Sequence, residues 1–262
     1  MTRLVAAIDN SAAAQPVLRI ARTMARLFEA DPEALHVTED HARNARGAAA
    51  AAGIPLREVT GDVVTQLVAV AGEPDVVALV VGSRGRPAGT RPAGHVALEL
   101  MARVNKPLVV VPPHAHPPDR VRRLLVPLDG TTETALALEP VLELAVHAEI
   151  EIVVLHVDDE TSIPSFSDQP QHETTAFAEE FIARYCDCAR DDARLELRVG
   201  VPAEQVLEVS AGLGADLVAL GWSQRLDSSH ANVVRRFVEQ AAVPVILMPL
   251  RGAAGPTMRP AS

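Results

Sequence analysis

The stretch that decides the fold is VVALVVGSRGRPAGTRPAGHVALELMARVNKPLVVV, residues 76–111. It begins with an apolar, β-branched run ending at Gly82, which has the length and composition of a fully buried strand. A loop rich in glycine, proline and arginine covers 83–93, and a helical pattern runs from His95 to about Val104 before a second apolar run. This order of elements predicts a βαβ unit whose helix N-terminus faces an anion. The anion that such a site is expected to bind is a phosphate group.

Upstream of this stretch, apolar runs and helical patterns alternate from the start of the chain. RLVAAI at 3–8, LHV at 35–37 and IPLREV at 54–59 predict three further strands, each followed by a helix. With the two runs above, strands and helices alternate through the whole first part of the sequence. This alternation predicts an α/β fold with a parallel sheet that is covered by helices on both faces.

The same pattern then occurs a second time. RRLLVPLDGT at 122–131 repeats RLVAAIDNS at 3–11, and LHV at 155–157 lies 120 residues after the first LHV. The two apolar runs of the opening stretch also recur: VVALVVGS at 76–83 is repeated by DLVALGWS at 216–223, and NKPLVVVP at 105–112 by AVPVILMP at 242–249. The repeat predicts two copies of one domain. The predicted organisation is domain 1 at 1–113, a Pro-rich linker at 114–120, domain 2 at 121–251 and a flexible tail at 252–262.

Composition limits the classes of function. A formal net charge of −10 and 3% aromatic residues argue against nucleic-acid binding, which uses a basic field and stacking platforms. The sequence has no apolar run long enough to span a membrane and no secretory signal pattern, so we expect a cytoplasmic protein. The copies differ in charge: residues 1–118 carry 12 Arg/Lys and 11 Asp/Glu, whereas 119–262 carry 12 and 23.

Both copies resemble universal stress protein domains arranged in tandem. The resemblance extends from Arg3 to about Leu250 and is carried by the openings LVAAID and LLVPLD, the LHV segments, the GSRG turn and the endings NKPLVVVP and AVPVILMP. It implies two Rossmann-like (adenine nucleotide alpha hydrolase-like) domains, each a five-stranded parallel sheet of order 3-2-1-4-5 with helices on both faces. It further implies that the last strands of the copies pair as an intrachain pseudo-dimer, and that chains form a homodimer.

ATP-binding members of this family carry the signature G-x-x-G…G-[ST]. Gly82-Ser83-Arg84-Gly85 supplies its first part, but the loop to Gly94 is one residue shorter than in the signature, and His95 replaces the Ser or Thr. The resemblance implies a nucleotide in domain 1, with the ribose on Asp9, backbone donors from the glycines, and Arg84 and His95 at the phosphates. The implied nucleotide-binding residues are Ala7, Ile8, Asp9, Val37, Gly82, Arg84, Gly85, Gly94, His95 and Val96.

Simpler roles remain open for several of these residues. The loop glycines would also serve merely to close a strand–helix turn, and Asp9 and Asp129 would serve as helix caps. His36 and His156 lie inside predicted strands, where we expect each to sit near the end of the sheet with a satisfied hydrogen bond.

The second copy departs further from the signature. Gly221-Trp222-Ser223-Gln224 lacks the second glycine, and a bulky Trp and a Gln where a positive φ is required make a poor phosphate cradle. We therefore expect a degenerate site in domain 2. His114-x-His116 and Cys186-x-Cys188 have no further ligands nearby, so no metal site is predicted. The two cysteines fall in a predicted helix, where positions two apart point away from each other, which excludes a disulfide between them.

The predicted function is that of a stress-response protein that binds ATP or a related adenine nucleotide, with or without Mg²⁺, and acts as a nucleotide-responsive sensor or regulator of a protein partner. The alternative is an interaction module of the same fold in which both sites have decayed. No G-x-x-x-x-G-K-[ST], G-x-S-x-G or H-E-x-x-H motif occurs. We therefore predict no enzyme, and any ATP hydrolysis is expected to be slow and incidental.

Overall fold

The computed structural model describes residues 1–38, 43–83, 94–113, 115, 118–158, 170–224 and 229–250, with the backbone alone for 170–174 and 229–232. Parts of the predicted linker and the whole predicted tail lie outside these ranges. The elements are β1 (Arg3–Ala7), α1 (Ala14–Leu27), β2 (Asp31–Thr38), α2 (Arg43–Ala52), β3 (Leu56–Thr60), α3 (Val63–Ala71), β4 (Val76–Gly82), α4 (His95–Arg103), β5 (Leu108–Val111), β6 (Arg123–Pro127), α5 (Thr132–His147), β7 (Glu151–Asp158), α6 (Pro170–Tyr185), β8 (Ala193–Val199), α7 (Pro202–Gly212), β9 (Leu217–Trp222), α8 (Ser229–Gln240) and β10 (Val245–Pro249).

All ten strands form one sheet, in the order β3-β2-β1-β4-β5-β10-β9-β6-β7-β8. Each half is parallel and has the predicted order 3-2-1-4-5. The halves meet where β5 and β10 pair antiparallel, with Val110 opposite Val245 and Leu108 opposite Leu247. The predicted fold class is confirmed, and so is the predicted pairing of the two last strands.

Successive side chains along each strand point to opposite faces of the sheet and fill two core layers. Leu4 and Ala6 of β1 are buried in the layer beneath α1, α2, α5 and α6, whereas Val5 is buried in the layer beneath α3, α4, α7 and α8. Because successive residues of a strand point to opposite faces, a continuous apolar run is needed when both faces are covered. Each layer contains residues of both halves, so the two copies share their core.

The linker is held against α1. Thr23 donates its hydroxyl to the Pro118 carbonyl over 2.9 Å, and a guanidinium nitrogen of Arg26 lies 3.3 Å from the Asp119 carbonyl. Among the residues described, no helix has the length and apolar character needed to cross a membrane.

The expectation of one helix containing both cysteines is wrong. The helix α6 ends at Tyr185, and the two cysteines lie in and beside a short 3-10 helix, Asp187–Ala189. Both are free thiols, and burial raises the pKa of Cys186 to about 12. Within the described part of the chain, no three His, Cys, Asp or Glu side chains are grouped as a metal site would require.

Candidate functional site

The candidate site lies at the carboxyl edge of the first half of the sheet. There β1 is flanked by β2 on one side and β4 on the other. The helix after β1 covers one face of the sheet and the helix after β4 covers the other, because α1 and α4 belong to different core layers. Such a reversal opens a crevice above the strand ends, which is where open α/β sheets bind ligands.

The crevice brings together most of the residues that the sequence singled out. Ala7 and Ile8 end β1, Val37 is buried near the end of β2, and Gly82 ends β4. The N-terminus of α4 begins at His95. Arg84 and Gly85 lie outside the residues that the structure describes.

Asp9 is fixed at the end of β1 by the turn that follows it. The Ile8 amide donates to the Leu35 carbonyl over 2.9 Å, which ties this turn to β2. The Asp9 Oδ1 atom accepts hydrogen bonds from the Ser11 amide, at 2.9 Å, and from the Ser11 hydroxyl, at 2.5 Å. Two carboxylate oxygens offer about four acceptor positions. A turn-forming role and a ligand role are therefore compatible.

The two ends of the loop between β4 and α4 are held together by backbone hydrogen bonds. The Ser83 amide donates to the Val111 carbonyl over 2.8 Å, and the Gly94 amide donates to the Ser83 carbonyl over 2.5 Å. The expectation that Gly94 offers its amide to a phosphate must therefore be revised, because that amide already has a partner. The first amides of α4 itself, at His95 and Val96, have no carbonyl partner within the helix and are the available backbone donors.

His95 is an exposed side chain on the outer surface of α4. Its Nε2 atom pairs with the Glu99 carboxylate one turn later, and Glu99 is also 3.9 Å from an Arg103 guanidinium nitrogen. Gly94 caps the helix without a side-chain hydrogen bond, and the first turn has no acidic residue. The positive end of the α4 dipole is therefore not neutralised by an acid of its own first turn.

Asp62 is the N-cap of α3, a helix that packs in the same core layer as α4. Hydrogen bonds from the Thr65 hydroxyl and amide hold the pKa of the Asp62 carboxyl below its usual value, with smaller contributions from the charges of Arg103 and His95. This carboxylate is therefore ionised at neutral pH.

The corresponding loop of the second copy makes a contact between the copies. Trp222 is buried and donates its indole N–H to the Met101 carbonyl in α4 over 2.6 Å. The Gln224 amide nitrogen is 2.6 Å from both the Val104 carbonyl and the Asn105 side-chain oxygen. These donors satisfy carbonyls at the C-terminal end of α4, which the helix itself leaves without partners.

Gln224 also has an unusual backbone conformation. Its φ is 61°, in the left-handed region that glycine adopts most readily. In the repeat this position corresponds to Gly85, and in the second copy it is occupied by a residue whose side chain caps α4. Gly221 is packed closely, because a Cβ atom there would lie 3.0 Å from Thr134.

Comparison with known proteins identifies the second copy. Residues 120–249 match the model of the Universal stress protein family. The second half of this chain belongs to that family. No curated protein matches the chain in sequence.

The fold of the whole chain, both halves included, is also found in solved structures. A universal stress protein from Archaeoglobus fulgidus DSM 4304 is 16% identical, with a TM-score of 0.67, over 95% of this chain and 98% of that one. A functionally unknown protein from Pseudomonas aeruginosa PAO1 is 13% identical, with a TM-score of 0.66, over 95% of this chain and 93% of that one. At these identities the likeness establishes the fold of both halves.

The carboxyl edge of the second universal stress protein domain is covered by aromatic side chains. The His156 ring lies 4.7 Å from Phe181, measured between ring centroids, and Phe181 lies 4.8 Å from Tyr185. A Cβ added at Gly130, which has a φ of 77°, would lie 3.7 Å from both His156 and Phe181. The space above this strand end is thus filled by the protein itself.

Sequence reasoning missed two polar atoms at the same edge of the first domain. The His36 ring bonds to the Ile8 carbonyl through Nδ1, as expected, at 2.9 Å. Its Nε2 atom and the Thr38 hydroxyl are buried, and neither has a hydrogen-bond partner among the described residues. A closer reading of the repeat would have drawn attention to this pair, because Thr38 stands where the second copy has Asp158.

Proposed function

We propose that this chain is a tandem universal stress protein whose first domain binds ATP or a related adenine nucleotide and acts as a nucleotide-responsive sensor or regulator in a stress response. The observation that supports it best is the meeting of Asp9, Gly82 and the N-terminus of α4 at one crevice. An acceptor for ribose hydroxyls and donors for phosphate thus lie at the switch point of one sheet.

Each part of the nucleotide would meet a different element. The Asp9 carboxylate would accept hydrogen bonds from the ribose, and the base would lie beside Val37 at the end of β2. The phosphates would face the amides of His95 and Val96, where the helix dipole favours negative charge. Arg84 and Gly85 would complete the phosphate site from the loop. Mg²⁺, where present, would be carried in with the phosphates.

The second domain is proposed to bind no nucleotide. Trp222 and Gln224 are engaged with the C-terminal end of α4, and aromatic side chains cover the neighbouring strand end. One nucleotide per chain follows from this arrangement. We assign no catalytic step to either domain, because the residues proposed to hold the nucleotide bind and orient it without supplying a base to activate water.

Binding stoichiometry tests the proposal most directly. Native mass spectrometry of freshly purified protein, before and after addition of ATP with Mg²⁺, should show one nucleotide per chain. Two per chain would contradict the assignment of the second domain. No binding at millimolar ATP would favour the alternative, an interaction module of the same fold in which both sites have decayed.

We propose that another protein binds this chain differently when the nucleotide is present and when it is absent. We also expect two chains to form a homodimer. Both β5 and β10 already pair with each other inside one chain. A homodimer therefore has to use a surface other than these two strand edges.

Replacement of His95 by serine should tighten ATP binding about two- to fivefold. The His95 ring is turned along α4 toward Glu99, whereas a serine hydroxyl would lie beside the first amides of the helix and donate a hydrogen bond to phosphate. Isothermal titration calorimetry measures the change. Glu99→Gln is the matched control, because it breaks the same ion pair without adding a hydroxyl, and its affinity should stay within about twofold. Weaker binding by His95→Ser would show instead that the imidazole itself contacts the phosphates.

A further inference from the structure

The second domain exposes apolar side chains at the carboxyl end of its outermost strand. Val199 ends β8, an edge strand of the sheet, and Val201 follows one residue beyond Gly200; the two valines are 47% and 53% exposed. On the helix α6, Phe177 is 42% exposed. Among the described residues apart from Met1, every large apolar side chain exposed to this degree belongs to the second domain. Exposed apolar patches on a folded protein mark surfaces that bind other molecules.

The turn after β8 is tied to the end of β7. Val199 lies opposite Asp158 in the parallel pair, and the Gly200 amide donates to the Asp158 carbonyl over 3.1 Å. Leu195 packs against the core layer that lies beneath α6, and side chains alternate between the two faces along a strand. Val199, four residues after Leu195, therefore points to the face of the sheet that carries α6.

Phe177 extends the aromatic cluster of this domain outward on the same face. Its ring centroid is 6.3 Å from that of His156, which precedes Asp158 by two residues on β7. Phe177 and Val199 therefore both lie at the end of that strand. We refer to Phe177, Val199 and Val201 as the apolar patch.

The first domain has a turn of the same shape with polar side chains. In the repeat, TGD at 60–62 corresponds to VGV at 199–201. The glycine has a φ of 129° in the first turn and 133° in the second. Asp62 caps α3 by accepting from the Thr65 amide over 2.8 Å, whereas Val201 takes the cap position of α7 without a side-chain hydrogen bond. A valine there gives up a cap and exposes an apolar side chain, which the stability of the fold does not explain.

Acidic side chains lie beside the apolar patch. Asp158 is partly exposed at the end of β7, and Glu180 is exposed on α6. The basic residue next to the turn, Arg198, has its charge matched by Glu196 at 2.9 Å. Over the whole second copy, residues 119–262, acidic residues outnumber basic ones by 23 to 12. A ligand of the apolar patch therefore meets a negative surface.

We propose that the apolar patch binds a segment of another protein in which apolar side chains lie beside lysine or arginine. The apolar side chains of the segment would cover Phe177, Val199 and Val201, and the basic ones would face Asp158 and Glu180. The positive charge of the partner follows from complementarity, because like charges across an interface are unfavourable. This inference goes beyond the proposed function, since it concerns the domain that is proposed to bind no nucleotide.

Fluorescence anisotropy with a labelled synthetic peptide tests the proposal on the full chain, without ATP. The peptide is an amphipathic helix of leucine and lysine, about 15 residues long. Wild-type protein should bind it, and Val199→Thr/Val201→Ser should lower the affinity at least about tenfold, because two apolar contacts are lost. Phe177→Ser should lower it at least about fivefold for the same reason. A peptide with glutamate in place of lysine should bind at least about tenfold more weakly.

The double variant is designed to keep the fold intact. A serine at position 201 accepts a hydrogen bond from the first amides of α7, so the melting temperature should rise by about 2–4 °C. The mirror substitution in the first domain, Thr60→Val/Asp62→Val, is the matched control. It adds two valines away from the acidic surface and should leave the peptide affinity within about twofold.

Absence of binding by the wild type would overturn the inference. Unchanged affinity in Val199→Thr/Val201→Ser, or equal binding of the glutamate peptide, would do the same, because the peptide would then not recognise the apolar patch. Sedimentation tests a second copy as the occupant: self-association that the double variant abolishes would refute the assignment to another protein. Peptide binding that appears only in Ile163→Ser/Phe166→Ser would also refute it, since residues 159–169 of the chain itself would then be the occupant. Every one of these results leaves nucleotide binding by the first domain unaffected.

Discussion

Replacement of Trp222 by alanine should lower the free energy of unfolding by about 3–5 kcal/mol. The side chain is 3% exposed and belongs to the core layer that also contains Met101 of the first domain and Phe237 of the second. Its removal leaves a cavity between the copies and also deprives the Met101 carbonyl of its indole donor. Urea denaturation followed by circular dichroism measures the loss, since Trp222 is the one tryptophan of the chain and the variant has no indole fluorescence.

Trp222→Phe separates the two contributions. It retains an aromatic ring in the core but loses the N–H group, and should cost about 1–2 kcal/mol. A loss below about 1 kcal/mol for Trp222→Ala would show that the contact with α4 is not a stabilising interface. The emission of Trp222 in the wild type offers a further use, because a nucleotide that shifts α4 should also shift that emission.

Replacement of Asp9 by alanine should weaken ATP binding about a hundredfold. A carboxylate that accepts hydrogen bonds from ribose hydroxyls contributes about 1.5–3 kcal/mol per charged hydrogen bond, and the alanine variant loses all of it. Calorimetry with ATP and Mg²⁺ gives the change in dissociation constant. Thermal unfolding without ligand gives the separate loss of the turn that Asp9 forms with Ser11, which should be about 0.5–2 kcal/mol.

The chain contains its own control for this experiment. Asp129 occupies the equivalent position in the second domain and makes the same turn, accepting hydrogen bonds from the Thr131 amide at 3.0 Å and the Thr131 hydroxyl at 2.8 Å. Asp129→Ala should therefore lose a similar amount of stability without any change in ATP affinity. Equal affinities for the Asp9 and Asp129 variants would show that Asp9 forms only the turn.

The sequence predicted the sheet well because local patterns determine it. Runs such as VVALVVG are apolar on both faces, which only a strand buried between two helical layers requires, and β4 spans that run. The strand order and the pairing of β5 with β10 followed from the family resemblance, and both are confirmed.

Contacts between distant residues were beyond sequence reasoning. From the sequence alone, Trp222 in a glycine motif predicts only a poor phosphate cradle. In the structure its indole N–H donates to the Met101 carbonyl, 121 residues earlier in the chain. Likewise, the sequence pattern says that His36 lies in a strand but not which ring nitrogen has a partner, because that depends on the three-dimensional position of Ile8. The sequence predicts that Gly94 lies at the start of α4, but it does not predict that the Gly94 amide donates a hydrogen bond to the Ser83 carbonyl.

The antiparallel pairing of β5 with β10 has a consequence for how the protein is made. During synthesis on the ribosome, the first half is complete before Val245 emerges. Until then the backbone N–H and C=O groups on the outer edge of β5 have no strand to pair with. Two nascent chains that expose this edge at the same time would pair with each other through it, which would block the pairing of β5 with β10 within each chain. Rapid completion of the second half, or a chaperone that covers the β5 edge, would keep the pairing within one chain.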